Sequence, residues 1–364
     1  MADFVQLATQ CAKDAGFDLC GVTPAREFPE LAYFEQWVAD GQAGEMKYLE
    51  ARNENGELKR ASLAHVAPWA RSVIVCALNY NTGQPYSIEP APPGAGWVSR
   101  YAWFEDTGRG KHTDYHDAIL GRLHAVESKV AEAWAAPLRT WCYVDTGPVV
   151  ERVLASHAGI GWIGKNTCVI NEKLGSWLFL GVILTSVELE QIPMPAADRC
   201  GSCTRCIEAC PTDAIIAPYK LDARKCISYL TIEKRGVIPE ELRAGMGRQV
   251  FGCDICQDVC PWNGSVTEGR RAPATTAQEF HPRPELVDPR LEWLARMSRE
   301  EFNQAFRGSP IKRAKYEGMR RNAAIAMGNS GESRFIPLLE EMSGDESPVV
   351  AEHARWALER LMHK

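Results

Sequence analysis

The sequence predicts an α+β multidomain protein, in which an α/β domain is followed by a small cysteine-rich module and then by an all-α domain. Three observations support this fold class. Helical and strand-like patterns alternate over residues 1–190, seven cysteines crowd into two short segments between positions 200 and 260, and about the last hundred residues have a wholly helical pattern. We therefore expect domains at 1–190 and 191–265, followed by a linker and a helical domain at 266–364.

The composition is that of an ordinary globular protein. Of the 364 residues, 45% are hydrophobic and 24% are charged, and this length is enough for two or three cores. The longest apolar run, 177–187, is too short to span a bilayer, and the N-terminus lacks the features of a signal peptide. We expect a cytoplasmic protein without membrane contact. The net charge of −6 argues against non-specific coating of nucleic acid but allows a local basic patch.

The first domain is predicted to be an α/β layer, a sheet covered by helices. Residues 71–80, 138–145 and 176–187 have strand-like patterns, and residues 117–134 have helical periodicity. Asp145 ends the second of these strands and precedes Thr-Gly-Pro and a helix, a position where α/β proteins often carry chemistry. The alternative is that Asp145 only caps the helix that follows.

Two further segments of this domain come close to ligand motifs without matching them. The turn GIGWIGKNT (159–167) lacks the spacing of a phosphate loop because Asn166 follows Lys165, so we expect a glycine-rich turn against a large ligand instead. DYHDAI (114–119) is a near match to the D-x-H-x-x-G signature of cobalamin proteins that place histidine on cobalt. Because Ile119 stands in place of the glycine, we interpret His116 as a helix-start residue and not as a cobalt ligand.

The two cysteine segments have the spacing of iron–sulfur ligands. The first reads C-x2-C-x2-C-x3-C-P and ends at Pro211, whereas the second has only three cysteines, the last of them again followed by proline. Structural zinc, the alternative, normally takes two C-x2-4-C pairs. The first spacing is that of bacterial ferredoxins, in which three cysteines hold one [4Fe–4S] cluster and the fourth holds the other cluster. We therefore predict a ferredoxin-like module with two [4Fe–4S] clusters.

The missing eighth ligand is assigned to Cys226. A second segment that copied the first would have a cysteine at position 250, where the chain has Val250. We predict that one cluster is held by Cys200, Cys203, Cys206 and Cys260, and the other by Cys210, Cys226, Cys253 and Cys256. The scattered cysteines are interpreted as core residues of a protein in a reducing compartment: Cys11, Cys20, Cys76, Cys142 and Cys168.

The helical end contains an internal repeat. RNAAIAMGN (321–329) recurs 31 residues later as EHARWALER (352–360), with alanines in register, which is typical of a short HEAT-like repeat. A basic run precedes and enters the first copy. It is either a solvated charged face or a patch that binds a polyanion, and its members are Lys312, Arg313, Lys315, Arg320 and Arg321.

From end to end the chain resembles the epoxyqueuosine reductases, which are cobalamin-dependent iron–sulfur enzymes of tRNA queuosine synthesis. The segments that carry this resemblance are VSRYAW, DYH, VDTGPVVER, GIGWIGKNT, CGSCTRCIEACPT, RKCISYLTIE, IPEELR, FGCDICQDVCPWN and GSPIKRAKYEGMRRNAAIAMGN. One departure is a longer loop at Trp103–Thr113, to which no contact is transferred from the family.

The resemblance implies reduction of the epoxide of epoxyqueuosine at the wobble position of tRNA. It implies that the first domain binds cobalamin, that an external donor of the flavodoxin or ferredoxin type supplies electrons, and that the basic helical end contacts the tRNA. It also implies that Asp145 is the proton donor. This agrees with the chemistry, because an epoxide opens with a poor oxyanion leaving group and needs a positioned acid. Cobalamin contacts are expected at Arg60, Asp145, Asn166, Ser228 and Asp254.

Two other functions remain open from the sequence. A corrinoid reductive dehalogenase would use the same cofactors on a small organohalide. A non-catalytic electron carrier would dock a partner through its helical end, and Asp145 would then have no role in chemistry.

Overall fold

The computed structural model describes residues 3–105, 114–189, 194–265 and 270–363. Its first part is a four-stranded sheet in the order β1-β2-β8-β5, with every neighbouring pair antiparallel. The sheet strands are β1 (Leu19–Pro24), β2 (Ser72–Asn79), β5 (Thr140–Tyr143) and β8 (Leu178–Thr185). The strands are where the sequence predicts them. The strands run antiparallel, whereas an α/β layer normally has a parallel sheet. The rule that parallel sheets carry chemistry at the carboxyl ends of their strands therefore does not explain the position of Asp145.

Helices cover both faces of this sheet, as expected. One face packs with Val22, Ile74 and Ile183 against α1 (Phe4–Asp14) and α3 (Tyr115–Ala133). The other packs with Val73 and Leu184 against α2 (Pro29–Ala39) and α4 (Glu151–His157). Because both faces are covered, all eight residues of β2 are buried. This part also contains the short strands β3 (Trp97–Val98), β4 (Phe104–Glu105), β6 (Trp162–Ile163) and β7 (Val169–Ile170).

The cysteine-rich module is built from short elements around its loops. They are α5 (Arg205–Glu208), β9 (Ile215–Ala217), β10 (Lys220–Leu221), α6 (Ile227–Ile232), α7 (Glu240–Arg243), β11 (Gln249–Phe251), α8 (Ile255–Asp258), β12 (Gly264–Ser265) and β13 (Arg270–Arg271). Strand β11 pairs with β3 in parallel, so the module is joined to the first part by backbone hydrogen bonds. Val250 is fully buried in β11, so position 250 serves packing.

The C-terminal part is helical, apart from the short strand β14 (His281–Pro282), which pairs with β4. Its helices are α9 (Leu291–Arg296), α10 (Arg299–Ala305), α11 (Lys315–Ser330), α12 (Ile336–Ser343) and α13 (Pro348–Met362). Helices α11 and α13 approach so closely that a Cβ on Gly328 would lie 2.7 Å from the Cα of Ala357. The repeated alanines are buried at this contact. The HEAT-like assignment stays a prediction.

The three predicted segments share hydrophobic cores. The cluster around the C-terminal helices includes Trp97 and Trp103 from the first segment and Phe251 from the second. The domain boundaries therefore stay a prediction, and the segments pack as neighbours along continuous apolar contacts. Within the described ranges, no helix combines the length and apolar character needed to cross a bilayer. Of the longer loop at Trp103–Thr113, residues 106–113 lie outside the described residues.

Candidate active site

Asp145 lies at the centre of a tight turn directly after β5. Its φ is +53°, and the N–H of Thr146 donates to the carbonyl oxygen of Val144 at 2.5 Å. A hydrogen bond across three residues with a positive φ at the middle residue is a rare and strained form of γ-turn. The next residue is glycine for a steric reason, since a Cβ on Gly147 would lie 2.5 Å from the ring of Tyr143. Strain of this kind is maintained mainly at functional sites.

The side chain of Arg60 is hydrogen-bonded to the backbone of this turn. Its Nη2 donates to the carbonyl oxygen of Gly147 at 2.7 Å, and its Nη1 donates to the carbonyl oxygen of Tyr48 at 3.1 Å. The sequence predicts Arg60 as a cobalamin contact. In the structure its guanidinium bonds to the backbone of the Asp145 turn, so a positioning role is the one that the contacts support.

The start of α3 supplies the partners of the Asp145 carboxylate. Asp145 Oδ2 accepts a hydrogen bond from the Tyr115 hydroxyl at 3.2 Å and lies 3.4 Å from His116 Nε2. Asp114 caps the helix through the backbone N–H of His116, and its Oδ1 lies 2.6 Å from His116 Nδ1. Both ring nitrogens of His116 therefore face carboxylates. This arrangement supports the interpretation that His116 is not a cobalt ligand.

The pKa values of His116 and Asp145 show which of the two carries a proton at neutral pH. Partial burial lowers the pKa of His116, but hydrogen bonds to Asp114 and Asp145 outweigh it and raise the pKa to about 9. Partial burial raises the pKa of Asp145, but the hydrogen bond and charge of His116, with the charge of Arg313, hold it below its usual value. At neutral pH the proton is thus on His116, and Asp145 is a carboxylate whose side chain is 56% exposed.

Two residues from other parts of the chain, Arg313 and Glu151, lie around Asp145. Together with Tyr115 and His116 they line the site that we call the recess. Arg313 precedes α11 and pairs through Nε with Glu233 Oε1 at 2.5 Å, while its guanidinium lies 5.2 Å from the ring centre of Tyr48. Its charge reaches Asp145. Motif spacing does not identify this residue as part of the site, because it lies more than 160 positions from Asp145 in the sequence.

Glu151, the first residue of α4, has an unsatisfied carboxyl group beside the same turn. Its Oε1 is buried and has no hydrogen-bond partner among the described residues. Burial, and then the negative charge of Asp145, raise the pKa of Glu151 to about 7. A buried polar atom without a partner normally marks a place where a ligand or water binds.

Cysteines of each predicted cluster lie close to one another, and the assignment of ligands stays a prediction. Burial and the neighbouring Cys200 and Cys203 raise the pKa of Cys206 to about 11. Burial raises the pKa of Cys260, and the nearby Cys168, Cys200 and Cys206 add to this increase. These contacts support a first group of Cys200, Cys203, Cys206 and Cys260.

The second group is recognised in the same way. Burial raises the pKa of Cys253 well above its usual value, and Cys226 and Cys210 add to this increase. The hydrogen bond to Cys168 and burial, and then the nearby Cys253 and Cys226, raise the pKa of Cys256 well above its usual value. The backbone N–H groups of Ser228 and Tyr229 donate to the sulfur of Cys226. Cys226 therefore lies near the other three cysteines of its predicted cluster, and its role as the eighth ligand stays a prediction.

The sulfur atoms are spaced too widely for zinc. Four thiolates around one zinc ion at about 2.3 Å would lie about 3.8 Å from one another. Among the described residues, the one group of three or more His, Cys, Asp or Glu ligand atoms within 4.8 Å of each other is His124, Glu127 and Cys142, and it contains none of the eight cysteines. A larger inorganic core, with a different iron for each thiolate, agrees with this spacing.

The turn at residues 159–167 packs against both cysteine groups. Lys165 Nζ donates to the carbonyl oxygens of Gly201 at 2.7 Å and Cys203 at 2.9 Å, and Asn166 Nδ2 donates to that of Cys256 at 3.3 Å. Cys168, interpreted from the sequence as a plain core residue, shares a thiol hydrogen bond with Cys256. Its proximity to the ligand groups was missed because its spacing fits neither segment.

Ser228 and Asp254, the two predicted cobalamin contacts next to cysteines, differ in whether their side chains are free to bind a ligand. The Ser228 hydroxyl lies against the Cys226 sulfur and is partly exposed. Asp254 is 1% exposed and accepts from Trp97 Nε1 at 3.0 Å, Ser99 Oγ at 2.5 Å and the Arg100 N–H at 2.7 Å. These hydrogen bonds join the cysteine-rich module to the first part of the chain. Because both carboxylate oxygens of Asp254 already accept hydrogen bonds, they have little capacity to bind cobalamin.

Two members of the predicted tRNA patch require correction. Arg321 is 1% exposed, and its guanidinium donates to the carbonyl oxygens of Leu230, Lys234 and Gly236. Arg320 has a side chain that is 16% exposed and pairs with Asp345 at 2.6 Å. Both bind protein groups and do not form a surface for tRNA. Lys312 and Lys315 are exposed, and Arg313 is half-buried.

These observations define an iron–sulfur redox protein that also carries a strained acidic turn. Residues 199–263 match the family model of the "4Fe-4S double cluster binding domain", and residues 60–146 match that of "Epoxyqueuosine reductase QueG, DUF1730". The epoxyqueuosine reductase of Pseudomonas aeruginosa is 39% identical over 363 residues, covering 99% of this chain and 95% of that protein. The chain belongs to the epoxyqueuosine reductase family, as the sequence motifs predict.

Solved structures of epoxyqueuosine reductases have the same fold. One, with an epoxyqueuosine-modified stem loop of tRNA-Tyr, has a TM-score of 0.82 at 30% identity and covers 99% of this chain and 91% of that one. Another, from Bacillus subtilis, has a TM-score of 0.82 at 28% identity with the same coverage, and its catalytic aspartate loop is swung out of the active site.

Proposed function

We propose that this protein reduces the epoxide of epoxyqueuosine at the wobble position of tRNA to give queuosine. The observation that carries the proposal is the similarity to an epoxyqueuosine reductase over 99% of the chain. The substrate is inferred from the relative that is bound to an epoxyqueuosine-modified stem loop. A wobble base is single-stranded, so it can enter a recess without the breaking of a duplex.

The cofactors are two [4Fe–4S] clusters, held by the two cysteine groups, and cobalamin. Cobalamin supplies a strong nucleophile at low-valent cobalt, and the clusters supply its electrons one at a time. The residues are compatible with a corrin: Glu151 Oε1 is buried without a hydrogen-bond partner among the described residues, Glu151 lies within electrostatic reach of Asp145, and the side-chain amides of a corrin are donors that would satisfy such an oxygen. Asn166 and Ser228 would contact it from the side of the cysteine groups.

Asp145 is the acid that protonates the substrate oxygen. Its carboxylate is open to the recess, its turn is held by Arg60, and Tyr115 and His116 orient Oδ2. The Bacillus subtilis relative supports this role, because a loop with an aspartate is the catalytic loop of that protein. An electron carrier would have no use for a strained acid at this position.

The remaining partners follow from surface charge. Lys312 and Lys315 are exposed next to Arg313, which reaches the recess, so this segment is where the tRNA backbone would lie. An external donor of the flavodoxin or ferredoxin type supplies the electrons, and the reaction takes place in the cytoplasm, where tRNA is modified.

The test is conversion of epoxyqueuosine to queuosine in a tRNA stem loop under single-turnover conditions, by wild type and by Asp145→Asn. Asparagine is nearly isosteric with aspartate and tolerates a positive φ, and the helix α4 does not use Asp145 as its cap, so clusters, cobalamin and tRNA should still bind. The rate should fall roughly 10²–10⁴-fold, as is usual when a general acid is removed. Asp213→Asn is the matched control, since Asp213 is an exposed aspartate with a φ of +50°. Normal turnover by Asp145→Asn would remove Asp145 from the mechanism.

A further inference from the structure

The proposed reaction consumes more protons than Asp145 alone can hold. Conversion of an epoxide to an alkene breaks both C–O bonds, forms one C=C bond and releases the oxygen as water. The balance is epoxide plus two electrons plus two protons, giving alkene plus water. The external donor supplies both electrons. A single carboxyl group carries one proton, and Asp145 is ionised in the arrangement that the structure shows.

A second proton store lies directly against Asp145. His116 Nε2 is 3.4 Å from Asp145 Oδ2, and His116 Nδ1 is 2.6 Å from Asp114 Oδ1. The imidazole is thus held between two carboxylates, with one nitrogen directed at the acid and the other fixed by the helix cap. The His116 side chain is 23% exposed, so water can reach it.

We propose that Asp114, His116 and Asp145 form a proton relay, in which His116 stores the proton and Asp145 passes it to the substrate oxygen. This inference rests on the proposed function, because it needs Asp145 to be the acid. His116 acts through Asp145 and does not touch the substrate. Asp114 orients the ring and stabilises the imidazolium, as a buried carboxylate does for a catalytic histidine elsewhere.

Each turnover uses the relay twice. When the first C–O bond breaks, the proton on His116 Nε2 moves to Asp145 Oδ2, and the carboxyl group formed in this way gives that proton to the developing alkoxide, which is a far stronger base than imidazole. Asp145 is a carboxylate again after the transfer, and His116 is neutral. Neutral His116 then takes a proton from water. In the second step the same transfer protonates the leaving hydroxyl, which departs as water when the second C–O bond breaks. Two protons enter, and no group of the chain is consumed.

The charged groups around His116 favour storage of a proton. Asp114 faces it from the helix cap and Asp145 from the turn after β5, and the ring of Tyr115 stacks on it with 4.0 Å between ring centres. Arg313 opposes them, since it faces Asp145 from the segment before α11. Glu151 on α4 lies beyond Asp145, and burial and the charge of Asp145 raise its pKa to about 7. The negative groups outnumber the cation, and the proton is held on the ring at neutral pH.

The test compares pH profiles of single-turnover rate for wild type, His116→Gln and Tyr115→Phe. Wild type should lose rate above about pH 9, where His116 loses its proton. His116→Gln keeps a hydrogen-bond donor to Asp145 but stores no proton, so its rate should fall at least ten-fold and the fall near pH 9 should disappear. Tyr115→Phe removes the other hydrogen bond to the same oxygen and should keep that fall. A His116→Gln profile identical to wild type would overturn the relay.

A second measurement does not depend on turnover. In cluster-loaded protein with ¹³C-labelled histidine, the His116 signal, assigned by its loss in His116→Gln, should titrate near pH 9 in wild type. It should titrate at a clearly lower pH in Asp145→Asn. Titration near its ordinary value in wild type would contradict the relay. If Asp145→Asn turns over normally, the proposed acid is wrong; if it is inactive while His116→Gln keeps the wild-type profile, only the relay is wrong.

Discussion

Nη2 of Arg60 lies 2.7 Å from the carbonyl oxygen of Gly147, two residues beyond Asp145. This hydrogen bond joins the segment before β2 to the strained turn that carries the acid. Because the turn has a φ of +53° at a non-glycine residue, it needs such external support to keep its geometry. The contact therefore links a residue outside the recess to the position of the acidic group.

Replacement of Arg60 by methionine should loosen the Asp145 turn without unfolding the domain. A hydrogen bond from a charged donor contributes about 1.5–3 kcal/mol, and a small displacement of a catalytic group can cost up to about a hundred-fold in rate. We expect single-turnover rates to fall roughly ten- to a hundred-fold, with iron content unchanged. Arg52→Met is the matched control, since Arg52 Nη1 donates to the Gly56 carbonyl oxygen in an exposed loop. Equal rates for the two variants would contradict the positioning role.

The assignment of Cys226 predicts a defined loss of iron. Two [4Fe–4S] clusters correspond to about eight iron atoms per chain. Cys226→Ser should reduce this to about four after anaerobic reconstitution, because one group loses a ligand while the other is intact. Cys168→Ser provides the comparison, since Cys168 contacts Cys256 but is not assigned as a ligand. Iron content and visible spectra are measured for both variants. A full complement of iron in Cys226→Ser would contradict the assignment of Cys226, and a loss of iron in Cys168→Ser as well would make Cys168 the eighth ligand.

The sequence predicted those strands and motifs that depend only on residues close together in the chain. The strands at 72–79 and 178–185 follow from apolar runs, and the cysteine groups follow from ligand spacing, which short loops preserve in any fold. The direction of the strands did not follow, because an apolar run is the same in parallel and antiparallel sheets.

Contacts between distant segments were not predictable. Asp145 and His116 are 29 residues apart, and each was interpreted by its own motif, so their proximity appears only when β5 and the start of α3 come together. Arg320 and Arg321 were assigned to the surface because charge in a sequence does not reveal burial. Backbone carbonyl oxygens at the ends of α6 and its loop bind Arg321 instead, and such acceptors leave no signal in side-chain patterns.

A buried histidine predicts how stability depends on pH. His353 is fully buried: its Nδ1 lies 2.6 Å from the carbonyl oxygen of Val349, and its Nε2 accepts from the Ile238 N–H at 3.1 Å. Burial lowers the pKa of His353 to about 4. The unfolded chain binds a proton near pH 6.5 and the folded chain does not, so stability is complete above that pH and is lost as the pH falls from about 6.5 towards 4.

The corresponding loss between pH 7.5 and 5.5 should be about 1 kcal/mol. We expect the thermal midpoint of cluster-loaded protein to fall over this interval by less in His353→Gln than in wild type, although the variant is less stable at pH 7.5. His281→Gln, at an exposed position, should follow the wild-type curve. An unchanged pH dependence in His353→Gln would show that His353 is not the group that titrates.

The exposed lysines next to Arg313 provide the test of the tRNA surface. Phosphate contacts release counterions, so each lost contact should reduce the slope of log affinity against log salt by about 0.7–0.9. The double variant Lys312→Glu, Lys315→Glu should therefore bind a tRNA stem loop more weakly. The slope of its log affinity against log salt should become shallower by the amount expected for one or two lost phosphate contacts. The control exchanges Lys13 and Lys173, both exposed, for glutamate and changes the net charge equally. A general charge effect would alter both double variants alike, whereas a specific contact surface alters only the first. Unchanged affinity and slope in Lys312→Glu with Lys315→Glu would assign these lysines to a solvated face and place the tRNA elsewhere on the protein.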